Sequence, residues 1–187
     1  MRTETAIKVT LEAMPDRVFI AANGYISRWA WMHGERRVFP MLGSMGLAQS
    51  IALGVGLANP DIAVGILNGD GNILMEPSAT FIAGHYQRLD LAHFCFNNRA
   101  YQSTGGQPTL AKPGMLAEMA KACGYRKVET LSKKRELARF CASKIRSPVF
   151  CEVLVDFQTD DQVPRRVEVA VDKISLQLRN TLIGRVQ

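Results

Sequence analysis

Two short polar segments, each directly after an apolar run, carry the side chains best suited to chemistry in this chain. The first runs from Asn68 to Asn72 (NGDGN) and the second from Asn97 to Tyr101 (NNRAY). An Asp on one segment and an Asn on the other offer hard oxygen ligands, which suit Mg²⁺ holding a phosphate. We therefore predict that the two segments together bind a diphosphate.

The apolar runs before these segments predict the strands that position them. Ile62 to Leu67 and Leu91 to Phe96 are continuous apolar runs, typical of parallel strands covered on both faces. Between them, apolar residues recur at three- and four-residue steps, which predicts a helix beginning near Pro77 and argues against a hairpin at the Asn-Gly and Asp-Gly pairs. Two parallel strands joined by a helix end at the same sheet edge, where α/β sheets bind ligands.

The composition of the two segments supports a phosphate site. Gly69 and Gly71 allow a sharp turn and a close approach of the backbone to a phosphate. The following helix would present free N–H groups to the phosphates. Asp70, an Asn side chain of the second segment and a backbone carbonyl two residues later would form the protein half of an octahedral Mg²⁺ site.

The remaining pattern alternates strands and helices. It predicts an α/β fold: a doubly wound, about six-stranded parallel sheet with helices on both faces. We predict a single domain over residues 1–187, in which 157–187 form a C-terminal tail, with packing on a partner left open. The predicted strands are Val18 to Ala22, Arg36 to Pro40, Tyr125 to Val128 and Pro148 to Val155, and the helices are Thr3 to Met14, Ser27 to Met32, Gly46 to Ala58, Gly114 to Ala122, Ser132 to Arg146 with Ser132 as N-cap, and Asp172 to Leu182. The 17 residues from Asn97 to Pro113 are predicted to form a functional or mobile loop.

Composition excludes several classes of function. The net charge is +6, but the basic residues are dispersed and the run from Lys133 to Arg135 begins a predicted helix, so we expect no nucleic-acid binding. No apolar run reaches membrane-spanning length and no signal-type segment opens the chain, so we expect neither membrane insertion nor secretion. The four cysteines form no CxxC pair and are predicted to be buried, reduced thiols of a cytoplasmic protein.

The order GDG, helix, strand, NN resembles the thiamine diphosphate (ThDP) motif of the ThDP-dependent enzymes. The resemblance implies ThDP and Mg²⁺ as cofactors, with the metal held by Asp70, Asn98 and the carbonyl of Ala100. Asn72 departs from the Ser that is common there, although an amide can also donate to a phosphate oxygen. The cofactor-binding residues that the resemblance implies in these two segments are Gly69, Asp70, Gly71, Asn72, Asn98, Ala100 and Tyr101.

An upstream loop, Met41 to Gly46, resembles the segment that holds the aminopyrimidine ring in these enzymes. By this resemblance the Gly43 carbonyl accepts from the 4′-amino group, and Met45 is the apolar wedge that bends the cofactor so that it can deprotonate itself. Ser44 lies between them and is also implied to bind the cofactor. For Met45, plain core packing is the alternative.

The chain more closely resembles the β, or ThDP-binding, half of sulfopyruvate and phosphonopyruvate decarboxylases. Three runs carry this resemblance: Met41 to Ala48, Gly69 to Met75 and Asn97 to Gln107. It implies a small anionic 2-oxo acid substrate, which would be decarboxylated to an aldehyde, and it leaves sulfonate versus phosphonate open. Asn23 to Arg28 also matches the family, although Trp29-Ala30-Trp31 replaces the more usual Glu-Leu that follows. The candidate substrate contacts are Arg28, Ser103, Thr104 and Gln107, with surface solvation as the alternative for Arg28.

The resemblance also implies a missing component. In ThDP enzymes a glutamate on a separate pyrimidine-binding domain activates the cofactor, and neither Glu76 nor Glu118 has a matching context. We therefore predict a separate α subunit, in an α2β2 or larger complex, without which the chain is inactive. Two alternatives remain. One is a subunit of a carboligase or a 2-oxo acid oxidoreductase, although iron–sulfur Cys motifs are absent. The other is a non-catalytic ThDP-binding or partner-regulating subunit.

The sequence also contains histidines outside these motifs. Structural roles are predicted for His85 and His93.

Overall fold

The computed structural model describes residues 1–144, 148–158 and 163–186. The strands are β1 (Val18–Ala21), β2 (Val38–Pro40), β3 (Val64–Gly69), β4 (Leu91–Asn97), β5 (Ala100–Tyr101), β6 (Gln107–Pro108), β7 (Lys127–Leu131) and β8 (Val149–Leu154). The helices are α1 (Thr3–Ala13), α2 (Tyr25–Gly34), α3 (Ala48–Ala58), α4 (Asp70–Met75), α5 (Ser78–His85), α6 (Met115–Ala122), α7 (Lys134–Cys141) and α8 (Val171–Val186).

Six strands form one parallel sheet in the order β2-β1-β3-β4-β8-β7. From β1 the chain first builds outward to β2 and then returns to place β3 on the other side of β1. The strand order therefore reverses between β1 and β3, which is where open α/β sheets bind ligands. The predicted doubly wound parallel sheet is confirmed.

Helices cover both faces of this sheet, as predicted. On one face, α1, α2 and α7 pack against alternate strand residues such as Phe19, Phe94 and Phe96. On the other face, α3, α5 and α6 pack against Ile20 and Ile66, among others. Because both faces are covered, every residue of β1, β3 and β4 is buried, which explains their continuous apolar sequences.

The segment between β3 and β4 differs from the prediction of one loop followed by one helix. Strand β3 continues through Asn68 to Gly69, and helix α4 begins directly at Asp70. This helix ends after six residues, and α5 begins at Ser78. The break has a local cause, because Pro77 disfavours helical geometry in the preceding residue, and Glu76 has φ −145° and ψ 82°.

The predicted loop from Asn97 to Pro113 also contains regular structure. Strands β5 and β6 pair in antiparallel fashion, and a 3-10 turn, Gln102–Thr104, lies between them. Gly105 and Gly106, with φ of 133° and 74°, supply the backbone conformations that close this ribbon. Two-residue strands are too short to show periodicity, so the pattern of the sequence did not reveal them.

Several boundaries in the C-terminal half were predicted wrongly. Strand β7 ends at Leu131 rather than at Val128, and helix α8 ends at Val186 rather than at Leu182. β7 begins at Lys127 rather than at Tyr125. Helix α7 begins at Lys134, with Lys133 at the N-cap position and no side-chain cap, so the predicted cap at Ser132 is wrong. The same helix ends at Cys141, and the predicted end at Arg146 falls outside the described residues.

Helix α8, in the predicted tail, packs at the β2 edge of the sheet of its own chain. In α8, Ile174 is buried, and Leu178 and Leu182 pack against the core on the α3 side of the sheet. The Thr181 hydroxyl donates to the carbonyl of Arg36, just before β2, at 3.0 Å. Packing of this tail on a partner stays a prediction.

Two further predictions concern thiols and membranes. All four cysteines are unpaired, and all but Cys123 are buried. Across residues 1–144, 148–158 and 163–186, no helix is long and apolar enough to cross a membrane.

Candidate functional site

A cavity of about 120 Å³ opens at the carboxyl edge of the sheet, beside the point where the strand order reverses. Residues that follow β1, β3 and β4 line it, together with the β5–β6 ribbon. Eight of the predicted cofactor-binding residues meet there: Met45, Gly69, Asp70, Gly71, Asn72, Asn98, Ala100 and Tyr101. The structure thus brings the two polar segments and one residue of the upstream loop to a single place.

Asp70 is the most unusual side chain in this cavity. It is only 2% exposed, and no described Lys, Arg or His forms an ion pair with it. Burial raises the pKa of its carboxyl group, while hydrogen bonds from the Thr109 hydroxyl and from the backbone N–H groups of Asp70, Gly71 and Asn98 act in the opposite direction. A buried carboxylate without a cation is energetically costly, so this group is suited to a bound cation.

Gly71 allows three segments to meet at the cavity. A Cβ atom built on Gly71 would lie 2.5 Å from Cε1 of Tyr101 and 3.3 Å from Cε of Met45. The start of α4 therefore contacts both the ribbon and the upstream loop through a residue that has no side chain. Any other residue here would push the Tyr101 ring away.

The Asn72 side chain joins the ends of β1 and β3. Its Oδ1 accepts from the backbone N–H of Gly69 at 3.3 Å, and its Nδ2 donates to Oδ1 of Asn23 at 2.8 Å. One amide hydrogen of Asn72 is therefore engaged within the protein. The predicted donation from Asn72 to a phosphate would use the other.

The second polar segment is folded by its two asparagines. Oδ1 of Asn97 accepts from the N–H of Arg99 at 2.9 Å, and Oδ1 of Asn98 accepts from the N–H of Ala100 at 3.0 Å. Nδ2 of Asn98 donates to Oε1 of Gln102 at 2.7 Å. Arg99 has φ +62°, so these hydrogen bonds hold a left-handed turn between the two predicted metal ligands.

Glu152 was missed by the sequence analysis. This carboxylate on β8 is completely buried and accepts hydrogen bonds from Nδ2 of Asn97 at 2.7 Å, from N of Gly114 at 3.1 Å and from N of Ala117 at 2.9 Å. It thereby joins the start of the ribbon segment to the N-terminus of α6. The available signal was a charged residue within an otherwise apolar strand.

A buried polar chain beneath Gly69 was also missed. Nδ2 of Asn68 donates to Oε1 of Gln49 at 2.5 Å and to Nε2 of His93 at 3.0 Å. Because Nε2 of His93 accepts this hydrogen bond, Nδ1 carries the ring proton and donates to the Tyr125 oxygen at 3.2 Å. Burial lowers the pKa of His93 to about 3, so the ring is neutral. The expected structural role of His93 agrees with this geometry.

Four predicted residues lie outside the cavity lining. Gly43 and Ser44 are exposed on the loop before α3, and Gln107 is exposed on β6. The Arg28 guanidinium lies 5.2 Å from the centre of the Tyr25 ring and donates to the carbonyl of Pro164 at 3.4 Å. By contrast, the other two predicted substrate contacts, Ser103 and Thr104, line the cavity.

A parallel sheet with a cavity at the carboxyl edge, where the strand order reverses, defines the class of doubly wound α/β domains that bind ligands at this point. The profile of the family described as "Thiamine pyrophosphate enzyme, C-terminal TPP binding domain" matches residues 22–153. The chain therefore belongs to the thiamine pyrophosphate enzymes, as a domain that binds thiamine diphosphate.

Two relatives confirm the more specific resemblance. The chain is 38% identical to the sulfopyruvate decarboxylase subunit beta of Methanocaldococcus jannaschii, covering 67% of this chain and 68% of that protein. It is 32% identical to the phosphonopyruvate decarboxylase of Streptomyces viridochromogenes, covering 75% of this chain but 36% of that protein. The chain therefore spans about a third of the length of that decarboxylase.

A solved structure supports the fold. The 2-oxoglutarate:ferredoxin oxidoreductase from Magnetococcus marinus, with 2-oxoglutarate, coenzyme A and succinyl-CoA bound, superposes with a TM-score of 0.70. The match covers 94% of this chain and 74% of the other at 15% sequence identity. At that identity the similarity establishes the shared architecture alone.

Proposed function

We propose that this chain is the ThDP- and Mg²⁺-binding subunit of a cytoplasmic 2-oxo acid decarboxylase. The substrate would be 3-phosphonopyruvate or 3-sulfopyruvate, and the products the corresponding acetaldehyde and CO₂. The observation that carries the proposal is the Asp70 carboxylate, which lines the cavity, is buried and forms no ion pair with any described residue.

The donor set around Asp70 fits a magnesium ion. Asp70, the side-chain oxygen of Asn98 and the carbonyl of Ala100 are all oxygen ligands on residues that line the cavity. Within the described parts of the chain, no three His, Cys, Asp or Glu side chains form a metal-binding group. A single carboxylate completed by phosphate oxygens is typical of Mg²⁺ rather than of zinc or iron.

The residues of the cavity have distinct roles in this proposal. Gly69 and Gly71 let the backbone approach the diphosphate, and Met45, with Gly43 and Ser44 before it, would contact the pyrimidine end. ThDP, when bound, supplies the electron sink for carbon–carbon cleavage. This chain's own residues bind and orient it.

Neutral donors would contact the anionic end of the substrate. Ser103 and Thr104 line the cavity near the ribbon tip, and the Ser103 hydroxyl can donate to a sulfonate or phosphonate. The Thr104 hydroxyl donates to the carbonyl of Tyr101 at 3.3 Å, so it would have to rotate to contact the substrate. Arg28 already contacts Tyr25 and Pro164, so a contact with substrate would require a different side-chain conformation.

A separate α subunit completes the site in this proposal, as an α2β2 or larger complex. Among the residues that the structure describes, no glutamate lines the cavity, so in this proposal the partner supplies the pyrimidine-activating carboxylate. The beta-subunit name of the archaeal relative and the greater length of the Streptomyces decarboxylase support a second polypeptide. A partner could cover exposed large apolar side chains on α3, α4, α5 and the loop before α3: Leu42, Leu47, Leu57, Met75, Phe81, Ile82 and Tyr86.

Reconstitution with an α subunit tests the proposal. The chain is co-expressed with a pyrimidine-binding partner, loaded with ThDP and Mg²⁺, and assayed for aldehyde and CO₂ with 3-sulfopyruvate, 3-phosphonopyruvate and pyruvate. We expect decarboxylation of one of the two anionic substrates and none by either subunit alone. A complex that binds ThDP but turns over no 2-oxo acid would refute the decarboxylase assignment, and a carboligation product would support the alternative enzyme class.

A further inference from the structure

Thr109, directly after β6, hydrogen-bonds to the carboxylate that the proposed metal site depends on. Its hydroxyl donates to Oδ2 of Asp70 inside the protein. Thr109 is 6% exposed, and its Oγ1 also accepts from the N–H of Ala111 at 3.4 Å. The accepted hydrogen bond leaves the hydroxyl proton for Asp70, which fixes the direction of the bond.

This hydrogen bond restricts the rotation of the Asp70 carboxylate. Because Thr109 engages Oδ2, the carboxylate is held in one orientation at the cavity. The β-branched side chain of Thr109 has few rotamers, so its hydroxyl is held in place at little entropic cost. Partners that orient a metal ligand in this way typically affect metal affinity 10- to 100-fold.

Thr109 also pairs with the base of the ribbon, whose residues line the cavity. Its N–H donates to the carbonyl of Arg99 at 3.0 Å, which extends the pairing of β5 with β6 by one bond. The same residue therefore contacts Asp70 through its side chain and the ribbon through its backbone. This bond closes the segment from Arg99 to Thr109, which contains Ala100, Ser103 and Thr104.

We propose that Thr109 is a positioning residue that holds the Asp70 carboxylate for the metal ion and couples it to the β5–β6 ribbon. This inference rests on the proposed function, since it assumes a cation at Asp70. Binding of Mg²⁺ with ThDP would then be coupled to the pairing of Thr109 with Arg99 at the base of the ribbon.

Two substitutions at Thr109 and one elsewhere test this inference. Thr109→Val keeps the shape but removes the hydroxyl, whereas Thr109→Ser keeps the hydroxyl. Thr80→Val is the matched control, because Thr80 is a buried threonine whose hydroxyl has no hydrogen-bond partner among the described residues. In the reconstituted complex, calorimetry measures ThDP binding over a range of Mg²⁺ concentrations, and hydrogen exchange measures protection of ribbon amides.

We expect Thr109→Val to raise the Mg²⁺ concentration for half-maximal ThDP binding about 10- to 100-fold and to increase ribbon exchange. Thr109→Ser should stay within about threefold of wild type, and Thr80→Val should change neither property. If Thr109→Val does not fold, Thr109→Ala takes its place.

Wild-type Mg²⁺ dependence in a folded variant without the hydroxyl would overturn the inference. So would a loss in Thr109→Ser equal to that in Thr109→Val, because the hydroxyl would then be irrelevant. Failure of the wild-type complex itself to show metal-dependent ThDP binding would instead overturn the proposed function, and the inference with it.

Discussion

Glu152 on β8 and Asn97 at the end of β4 are joined by a buried hydrogen bond of 2.7 Å between Oε1 and Nδ2. The same carboxylate accepts from the N–H groups of Gly114 and Ala117 at the start of α6. Glu152 therefore fixes both ends of the segment that contains the ribbon. Asn97 in turn holds the Arg99 turn through Oδ1. The proposed ligands Asn98 and Ala100 therefore depend on a residue of the neighbouring strand that lies 55 positions after Asn97.

Replacing Glu152 by Gln should destabilise the protein and weaken cofactor binding. A glutamine side chain has one acceptor oxygen and an NH₂ group, which would face a backbone N–H. We expect a loss of about 1–3 kcal/mol, the cost of leaving a buried polar group unsatisfied. Urea unfolding measures the loss.

Glu129→Gln on the neighbouring strand β7 is the control for this substitution. Glu129 is partly exposed and pairs with Lys127 at 3.4 Å, and such surface pairs contribute less than about 1 kcal/mol. Equal effects of the two substitutions would show that the buried contacts of Glu152 do not matter.

Asp70→Asn should separate stability from cofactor binding. The variant removes a buried charge that has no cationic partner, but its NH₂ group would face the hydrogen-bond donors that now surround the carboxylate. Because these two effects oppose each other, the free energy of unfolding of the free protein should stay within about 1 kcal/mol of wild type. Metal-dependent ThDP binding should be lost, because an amide is a weaker Mg²⁺ ligand than a carboxylate.

Calorimetry on the reconstituted complex, with and without Mg²⁺, checks the second half of this prediction. The exposed Asp61, replaced by Asn, provides the matched control and should bind as wild type does. ThDP affinity in Asp70→Asn equal to that of Asp61→Asn would show that Asp70 does not hold the metal.

The sequence predicted the large elements and the meeting of the two polar segments, because both follow from local patterns. Continuous apolar runs such as β3 indicate buried strands, and parallel strands end at one edge. The contacts of Thr109 and Glu152 could not be predicted in this way. Thr109 lies 39 positions from its partner Asp70, and Glu152 lies 55 positions from its partner Asn97. Both contacts depend on how the ribbon folds back. The split of α4 from α5 was missed although Pro77 gave a local signal for it.

His93 should make the stability of the fold depend on pH. Its pKa is about 3 in the folded protein and about 6.5 in an unfolded chain, so the unfolded state binds the proton more tightly in this window. Stability contributed by neutral His93 is therefore present above pH 6.5 and is lost as the pH falls toward 3. Between pH 7 and pH 5 the loss should be about 2 kcal/mol.

Urea unfolding at pH 7 and at pH 5 measures this effect as the difference between the two free energies of unfolding. His93→Gln should show about 2 kcal/mol less change than wild type between the two pH values, whatever its absolute stability. His85→Gln should leave the change as it is, because His85 is exposed. An unchanged pH dependence in His93→Gln would mean that His93 titrates normally.

Gly71→Ala should block the cavity while leaving the sheet intact. The added Cβ would lie 2.5 Å from the Tyr101 ring, so the ribbon must shift, at a cost of about 1–3 kcal/mol. ThDP binding should fall further than stability, because the shift also moves Tyr101 and Met45 at the cavity.

Gly54→Ala in α3 is the control, since nothing lies within 4 Å of its Cβ position, and alanine there should stabilise the helix by up to about 1 kcal/mol. Calorimetry and urea unfolding on both variants check the comparison. Normal ThDP binding in Gly71→Ala would mean that the close approach of α4 to Tyr101 and Met45 is not needed for the cofactor.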